Sequence, residues 1–329
     1  MIWLTWRQHR KQALFTLIGL AALAALMIPT GLAMRHAFVH DGLADCLRQV
    51  GHARMVPASS ETCDAAFNQF RHQFEALGSV GVLFLFLPVL VGLFWGAPLV
   101  ARELEHGTHR LVWTQGVSRQ HWALVKFGLV GAATLTAGVV YGLGMSWWLT
   151  PLSQSGQGRL DVFLFDMQGL VPVGYTLFAV ALGIFAGTIW HKVLPAMAVT
   201  LVGFLGVRIL LTTLARPHYL AARVLTFPVQ GATLQPNQSV GDWILAIGVR
   251  DASGKLVQAN AQVACPVGAE GPGGGPCGAR LGLGPGAYNW VLYQPADRFW
   301  AFQGIETGIF IALAVLLIYL AIRRIRRIA

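Results

Sequence analysis

Residues 78–119 read GSVGVLFLFLPVLVGLFWGAPLVARELEHGTHRLVWTQGVSR, and the break at Ala101–Arg102 decides the fold. Residues 78–101 contain no charged side chain. A helix of that length covers about 30 Å of hydrocarbon at ~1.5 Å per residue. Residues 102–119 then mix acids and bases around Gly107-Thr108 and end in Ser118-Arg119, before a second apolar run opens at Ala123. Two membrane-crossing helices joined by a short, ordered polar knuckle is the expected local structure.

Working outward, the same apolar character recurs at 13–34, 123–149, 171–190, 193–214 and 302–322. The chain of 329 residues is 55% hydrophobic and 12% charged, where a soluble domain has about 25% charged residues. No soluble core of this size buries that much apolar sequence, so the expected fold class is an all-α polytopic membrane protein with six transmembrane helices. Residues 1–12 place Trp3 and Trp6 beside Arg7, Arg10 and Lys11, which suits an interfacial helix ahead of the first span. That span is too long for the apolar core of a signal peptide and is retained. Only His191 and Lys192 separate the fourth and fifth spans, which predicts a tight helical hairpin.

The basic residues orient these spans. With the N-terminus inside, the inner segments hold 12 of the 24 Lys and Arg in 45 residues, while 11 are spread over the 150 outer residues 35–77, 151–170 and 215–301. Both termini, the knuckle at 102–122 and the basic tail 323–329 then lie in the cytoplasm. Membrane topology accounts for the net charge of +10, so a nucleic-acid partner is not expected; the partner surface is the lipid bilayer. Cys46 and Cys63 share the first outer segment, and Cys265 and Cys277 share the last. An oxidising exterior allows the disulfides Cys46–Cys63 and Cys265–Cys277, the alternative being four free thiols.

The outer segments carry weaker signals. Phe67, Phe70 and Phe74 recur at helical spacing. In 215–301, Tyr219–Phe227 is apolar enough to dip into the outer leaflet, Trp243–Val249 and Tyr288–Tyr293 read as strands, and 266–286 is rich in Gly and Pro. Four Gly-x-x-x-Gly pairs (Gly92/Gly96, Gly138/Gly142, Gly183/Gly187 and Gly304/Gly308) predict close helix packing.

Motifs for enzymatic chemistry are missing from the sequence. There is no Gly-x-Ser-x-Gly, no His-Glu-x-x-His and no phosphate-binding Gly-x-x-x-x-Gly-Lys-[Ser/Thr]. His106, His109 and His121 lack a carboxylate at ligand spacing, so no metal site is expected. Arg208 is the cleanest intramembrane charge, about 22 Å from the start of its span. Two readings stand: it snorkels to the outer headgroups, or it faces the protein interior and pairs with Asp166 or an anionic substrate group. Glu306, at the start of the last span, is expected at the membrane interface.

In the knuckle, Gly107-Thr108 can end one helix and cap the next, Leu111 and Trp113 offer an apolar face, and Ser118 can cap the third span. The series Glu105-x-Gly107-Thr108-x-x-Leu111-x-x-Thr114-x-x-Val117-Ser118-Arg119, with Lys126 beyond it, resembles the permease signature of ABC-2 type transporters. The likeness in layout covers the whole chain: interfacial helix, six spans, knuckle after the second, hairpin between fourth and fifth, and a large extracellular loop before the last. Gly116 departs from the proline that many members place before Val-Ser. The resemblance implies a cytoplasmic coupling helix in which Glu105, Gly107, Thr108, Leu111, Trp113, Thr114, Ser118 and Arg119 dock an ABC ATPase subunit. It also implies a second copy of the chain or a close homologue, and a bacterial cell membrane as the location. The chain itself is expected to bind no cofactor; ATP and Mg belong to the partner. A non-catalytic exporter subunit for an amphipathic small molecule, antibiotic, peptide or lipid follows, the alternatives being a permease for polysaccharide or another substrate class and, behind these, a membrane-embedded enzyme or channel. Phe84, Phe94, Phe204 and Arg208 are the expected substrate-path residues.

Overall fold

The computed structural model describes residues 2–50, 53–57, 64–107, 118–231, 234–237, 240–265 and 282–327. Six of its helices are long and apolar enough to cross a membrane: Leu17–His40, Val80–Glu105, Gln120–Ser155, Val171–Ile189, Val193–His218 and Ala296–Arg327.

The first span is the main part of α1 (Ile2–His40), which runs without the break expected near residue 12. After α2 (Leu43–Val50) and strand β1 (Met55–Pro57), α3 (Asp64–Phe84) runs straight into the second span. Its Phe67, Phe70 and Phe74 are all buried, as their helical spacing requires. Ahead of Pro88, α3 gives way to the short α4 (Leu87–Val91), a π turn at Gly92–Gly96 and α5 (Ala97–Glu105). The third span is α6 (Arg119–Leu152). A short α7 (Val162–Met167) leads to α8 (Val171–Ile189), the fourth span. The fifth is α9 (Val193–Leu210), extended by a π turn at Leu211–Ala215 and a 3-10 turn at Arg216–His218. The sixth is α10 (Phe299–Arg327).

The fourth span is the axis of the bundle. It is 78% buried, against 17–39% for the other five. In hydrocarbon, helices gain nothing from hiding apolar surface from one another, so association depends on close packing. Small residues supply it here. A Cβ added to Gly183 would lie 2.5 Å from the Ala97 nitrogen, and one added to Gly92 would lie 2.6 Å from the Ala179 carbonyl oxygen. The pairs Gly92/Gly96 and Gly183/Gly187 thus pack the second and fourth spans backbone to backbone. Gly304 and Gly308 have nothing within 4 Å of an added Cβ.

One end of the bundle bears a sheet, which corrects the all-α expectation. Strands β2 (Arg223–Pro228), β6 (Tyr288–Gln294), β4 (Trp243–Arg250) and β5 (Leu256–Ala259) pair antiparallel in that order. β4 and β6 are the runs rich in aromatic and β-branched residues that read as strands. Of Tyr219–Phe227, the stretch expected to dip into the outer leaflet, Tyr219 packs on Phe302 of the last span, while from Arg223 the chain forms an edge strand whose main-chain pairing with β6 satisfies its backbone groups. Strand β3 (Leu234–Pro236) pairs with β1, so segments far apart in the chain meet at this end. Arg54 bonds Asp242 at 3.0 Å across the same junction, and Gln294 donates to the Pro217 and Leu220 carbonyls, seating the sheet on the fifth span. The opposite end carries the knuckle.

Candidate functional site

At the sheet end, four charged side chains close on one another inside the bundle. Asp166 comes from α7, Arg208 and Arg216 from the fifth span, and Glu306 from the sixth. Asp166, Arg216 and Glu306 are at most 3% exposed and Arg208 is 12% exposed. Arg208 Nη2 bonds Asp166 Oδ2 at 2.6 Å, and its Nη1 donates to the Leu85 carbonyl where α3 gives way to α4. Arg216 donates through Nε and Nη2 to the two oxygens of Glu306, at 2.8 and 2.6 Å, and through Nη2 to Asp166 as well. The Tyr175 hydroxyl, on the central α8, sits between both carboxylates, 3.0 Å from Asp166 and 2.5 Å from Glu306. Tyr219 donates to Glu306, and the Arg216 guanidinium lies 4.4 Å from the centre of the Phe165 ring.

Local backbone geometry makes this meeting possible. Eight residues separate Arg208 from Arg216, which on an ideal α-helix leaves them roughly 80° apart around the axis. The π turn at Leu211–Ala215 takes more residues per turn and so reduces that offset. Between α7 and α8 the chain turns through Gly169, at φ +69°. Gln303 holds that turn: its Oε1 accepts from the Leu170 and Val171 N–H groups, each at 2.9 Å, and its Nε2 donates to the Phe165 carbonyl. Asp166 is thereby aimed inward.

Two guanidiniums against two carboxylates leave the cluster formally neutral. Charges removed from water require such pairing. The physical action of the cluster is to clamp α7 and the fourth, fifth and sixth spans together. Arg208 therefore pairs with Asp166 rather than reaching for headgroups. Glu306, expected at the interface, is instead wholly enclosed, because Arg216, Tyr175 and Tyr219 supply the bonds that water would have made. Arg216, Tyr175 and Gln303 were missed by sequence reasoning. The only signal was a cation beside Pro217 where an apolar run ends.

The aromatic residues expected on a substrate path lie apart. Phe204 is fully buried against Tyr175 and Phe178. Phe94 is 57% exposed on the bundle's outer surface. Phe84 packs on Trp148 and lines an apolar cavity of about 440 Å³ formed with the first, third and fourth spans.

At the knuckle end, His106 and Gly107 close α5 as a helix end should. Gly107 takes φ +69°, a left-handed conformation that favours glycine, and its N–H bonds the Leu104 carbonyl. Ser118 caps α6, its hydroxyl accepting from the His121 N–H at 3.2 Å. The Glu105 carboxylate accepts from the Val193 N–H at 3.1 Å, at the first turn of α9. Glu103 pairs with the buried Lys126, joining α5 to α6. Thr108, Leu111, Trp113 and Thr114 lie outside the described residues, and Arg119 is described only as the first residue of α6. Cys46 and Cys265 are not free thiols, and the expected partners Cys63 and Cys277 lie outside the described residues.

Comparison with known proteins adds one match. The family described as "ABC-2 membrane transporter related" matches residues 17–216, which run from the first span to Arg216 of the cluster. No curated protein and no solved structure matches the chain.

Proposed function

The chain belongs to the ABC-2 membrane transporter related family, and from that premise we propose that it is the membrane-spanning subunit of an ATP-driven exporter for an amphipathic molecule. Membership carries the coarser statement: this is a multi-pass permease component of the kind that associates with an ABC ATPase. The finer reading puts the knuckle and both termini in the cytoplasm, by the density of Lys and Arg, and the sheet outside. ATP and Mg reside on the separate ATPase, since no phosphate-binding loop occurs in the chain. Six spans make half a transporter, completed by a second copy or a close homologue. Outside the cell, Cys46–Cys63 and Cys265–Cys277 form disulfides. Phe84, Phe94, Phe204 and Arg208 are proposed for the substrate path.

The observation that carries this reading is the way the knuckle is tied into the bundle. Its two borders are capped at Gly107 and Ser118, and Glu105 beside it holds the first turn of α9. A push on residues 108–117 by the ATPase reaches α9 through that bond, and the far end of the same span bears Arg208 and Arg216.

The test is the double variant Glu105→Ala, Leu111→Asp, co-expressed with the ATPase. Co-purification of the ATPase and ATP-driven transport in proteoliposomes are expected to fall at least fivefold. Wild-type ATPase yield together with wild-type turnover would sink the docking role.

A further inference from the structure

Where the second span breaks, the apolar cavity of about 440 Å³ lies among the first four spans, within the roughly 300–1,000 Å³ range of ligand sites. The break follows from the sequence. Pro88 has no N–H, so the Phe84 carbonyl four residues earlier loses its helical donor, and the Tyr141 hydroxyl of α6 donates to it instead at 2.9 Å. Small residues on the facing helices leave the space: Gly19 and Ala22 on α1, Ala137 and Gly138 on α6. A Cβ added to Gly19 would meet nothing within 4 Å. Every lining residue belongs to a membrane-crossing helix, and Gly19, Ala22 and Leu26 are exposed, so the cavity opens to lipid along the first span.

The lining fixes the chemistry of an occupant. Its side chains hold two polar groups, the Tyr141 and Thr176 hydroxyls, and both protons are committed, Tyr141 to Phe84 and Thr176 to the Pro172 carbonyl at 2.6 Å. A buried water needs about two to four polar partners, whereas an apolar cavity stays dry and takes an apolar guest. A charged headgroup would be buried there without partners. The lining runs from Gly19 to Leu26 on the first span and from Phe84 to Val91 on the second, about 10 Å along each helix at ~1.5 Å per residue. Bilayer lipid is the hydrocarbon in contact with the opening. We propose that the cavity holds an acyl chain of a bilayer glycerolipid as a resident ligand, its headgroup remaining outside at the membrane surface. The chain supplies the dispersion contacts that the broken helix and the small residues forgo. This site goes beyond the export reading and stands on the cavity alone.

The probe is a phosphatidylcholine with a photoactivatable group midway along one acyl chain, in nanodiscs holding the full chain without its ATPase. Segments 19–26 and 84–91 are expected to label at least threefold more than the exposed Leu201 and Val202 of α9; a smaller excess overturns the proposal, and is also the result if a second copy of the chain covers the first span. Because the lining offers no headgroup contact, a phosphatidylglycerol probe with the same chain should label these segments to within threefold of the first, and a larger difference refutes recognition by the chain. Gly19→Phe fills open space within the cavity and should cut its label at least threefold, while Gly304→Phe, in open space on the sixth span, should not; equal label in wild type and Gly19→Phe overturns the site. Should Gly19→Phe fail to fold, Ala22→Phe on the same face takes its place, and the wild-type comparison decides by itself. A second arm adds the ATPase and ATP: label that persists through turnover is expected of a resident lipid, and label lost with turnover marks cargo and overturns the assignment. The first arm needs no ATPase, so failure of the export reading and failure of this site are read separately.

Discussion

Arg216→Met is the most informative single change. The side chain is 1% exposed and joins Glu306, Asp166 and Tyr175. Methionine fills most of its volume but leaves Asp166 and Glu306 sharing the single cation Arg208, so a neutral enclosed cluster becomes net negative. Stranding one member of a buried ion pair costs about 3–5 kcal/mol. The double variant Arg216→Met, Glu306→Leu restores neutrality, because the Asp166–Arg208 pair survives. It should recover most of the loss, leaving about 1 kcal/mol for the tyrosine hydroxyl that loses its acceptor. Thermal unfolding in nanodiscs, followed by tryptophan fluorescence, reads the cycle. At roughly 2 °C per kcal/mol for a chain of this size, Arg216→Met should lower the midpoint by about 6–10 °C, with the double variant within about 3 °C of wild type. The reasoning fails if the single variant unfolds within 2 °C of wild type, or if the double is less stable than the single.

Two further outcomes are expected. Gly183→Val drives a branched side chain into the Gly92–Ala97 backbone and should cost about 1–3 kcal/mol or more in stability, visible as aggregation on size-exclusion chromatography; Gly304→Ala, with open space around it, should elute as wild type. Intact mass under non-reducing conditions should fall by two hydrogens for each of Cys46–Cys63 and Cys265–Cys277; four alkylatable thiols would exclude both.

What the sequence made legible was whatever is local. Apolar runs mark the spans, Gly107 and Ser118 mark helix ends that the structure builds at those residues, and β4 and β6 follow from short runs rich in β-branched and aromatic residues. The cluster was legible only in fragments. Arg208 with Asp166 was one of two open readings, and Glu306 was expected in the headgroup layer because hydropathy reports composition and not neighbours. Arg216 lies 90 residues from Glu306 in the chain, and it faces inward only because a π turn rephases the fifth span. No periodicity encodes either fact. The edge strand β2 escaped for a similar reason: it is defined by pairing with β6, about 60 residues on, and its own residues read as a membrane-dipping segment.

The distribution of charge within the cluster decides how this end of the protein can come apart. Both cations belong to the fifth span, and the anions belong to α7 and the sixth. Withdrawing the fifth span alone would carry two positive charges from two negative ones, each pair worth about 4 kcal/mol at 4 Å in a surface-like dielectric and more when drier. Withdrawing the sixth would bare Glu306 to hydrocarbon. The three elements and the axis they surround therefore travel as one keystone block. The first and third spans contribute no charge to this cluster, so separation at this end costs least on their side.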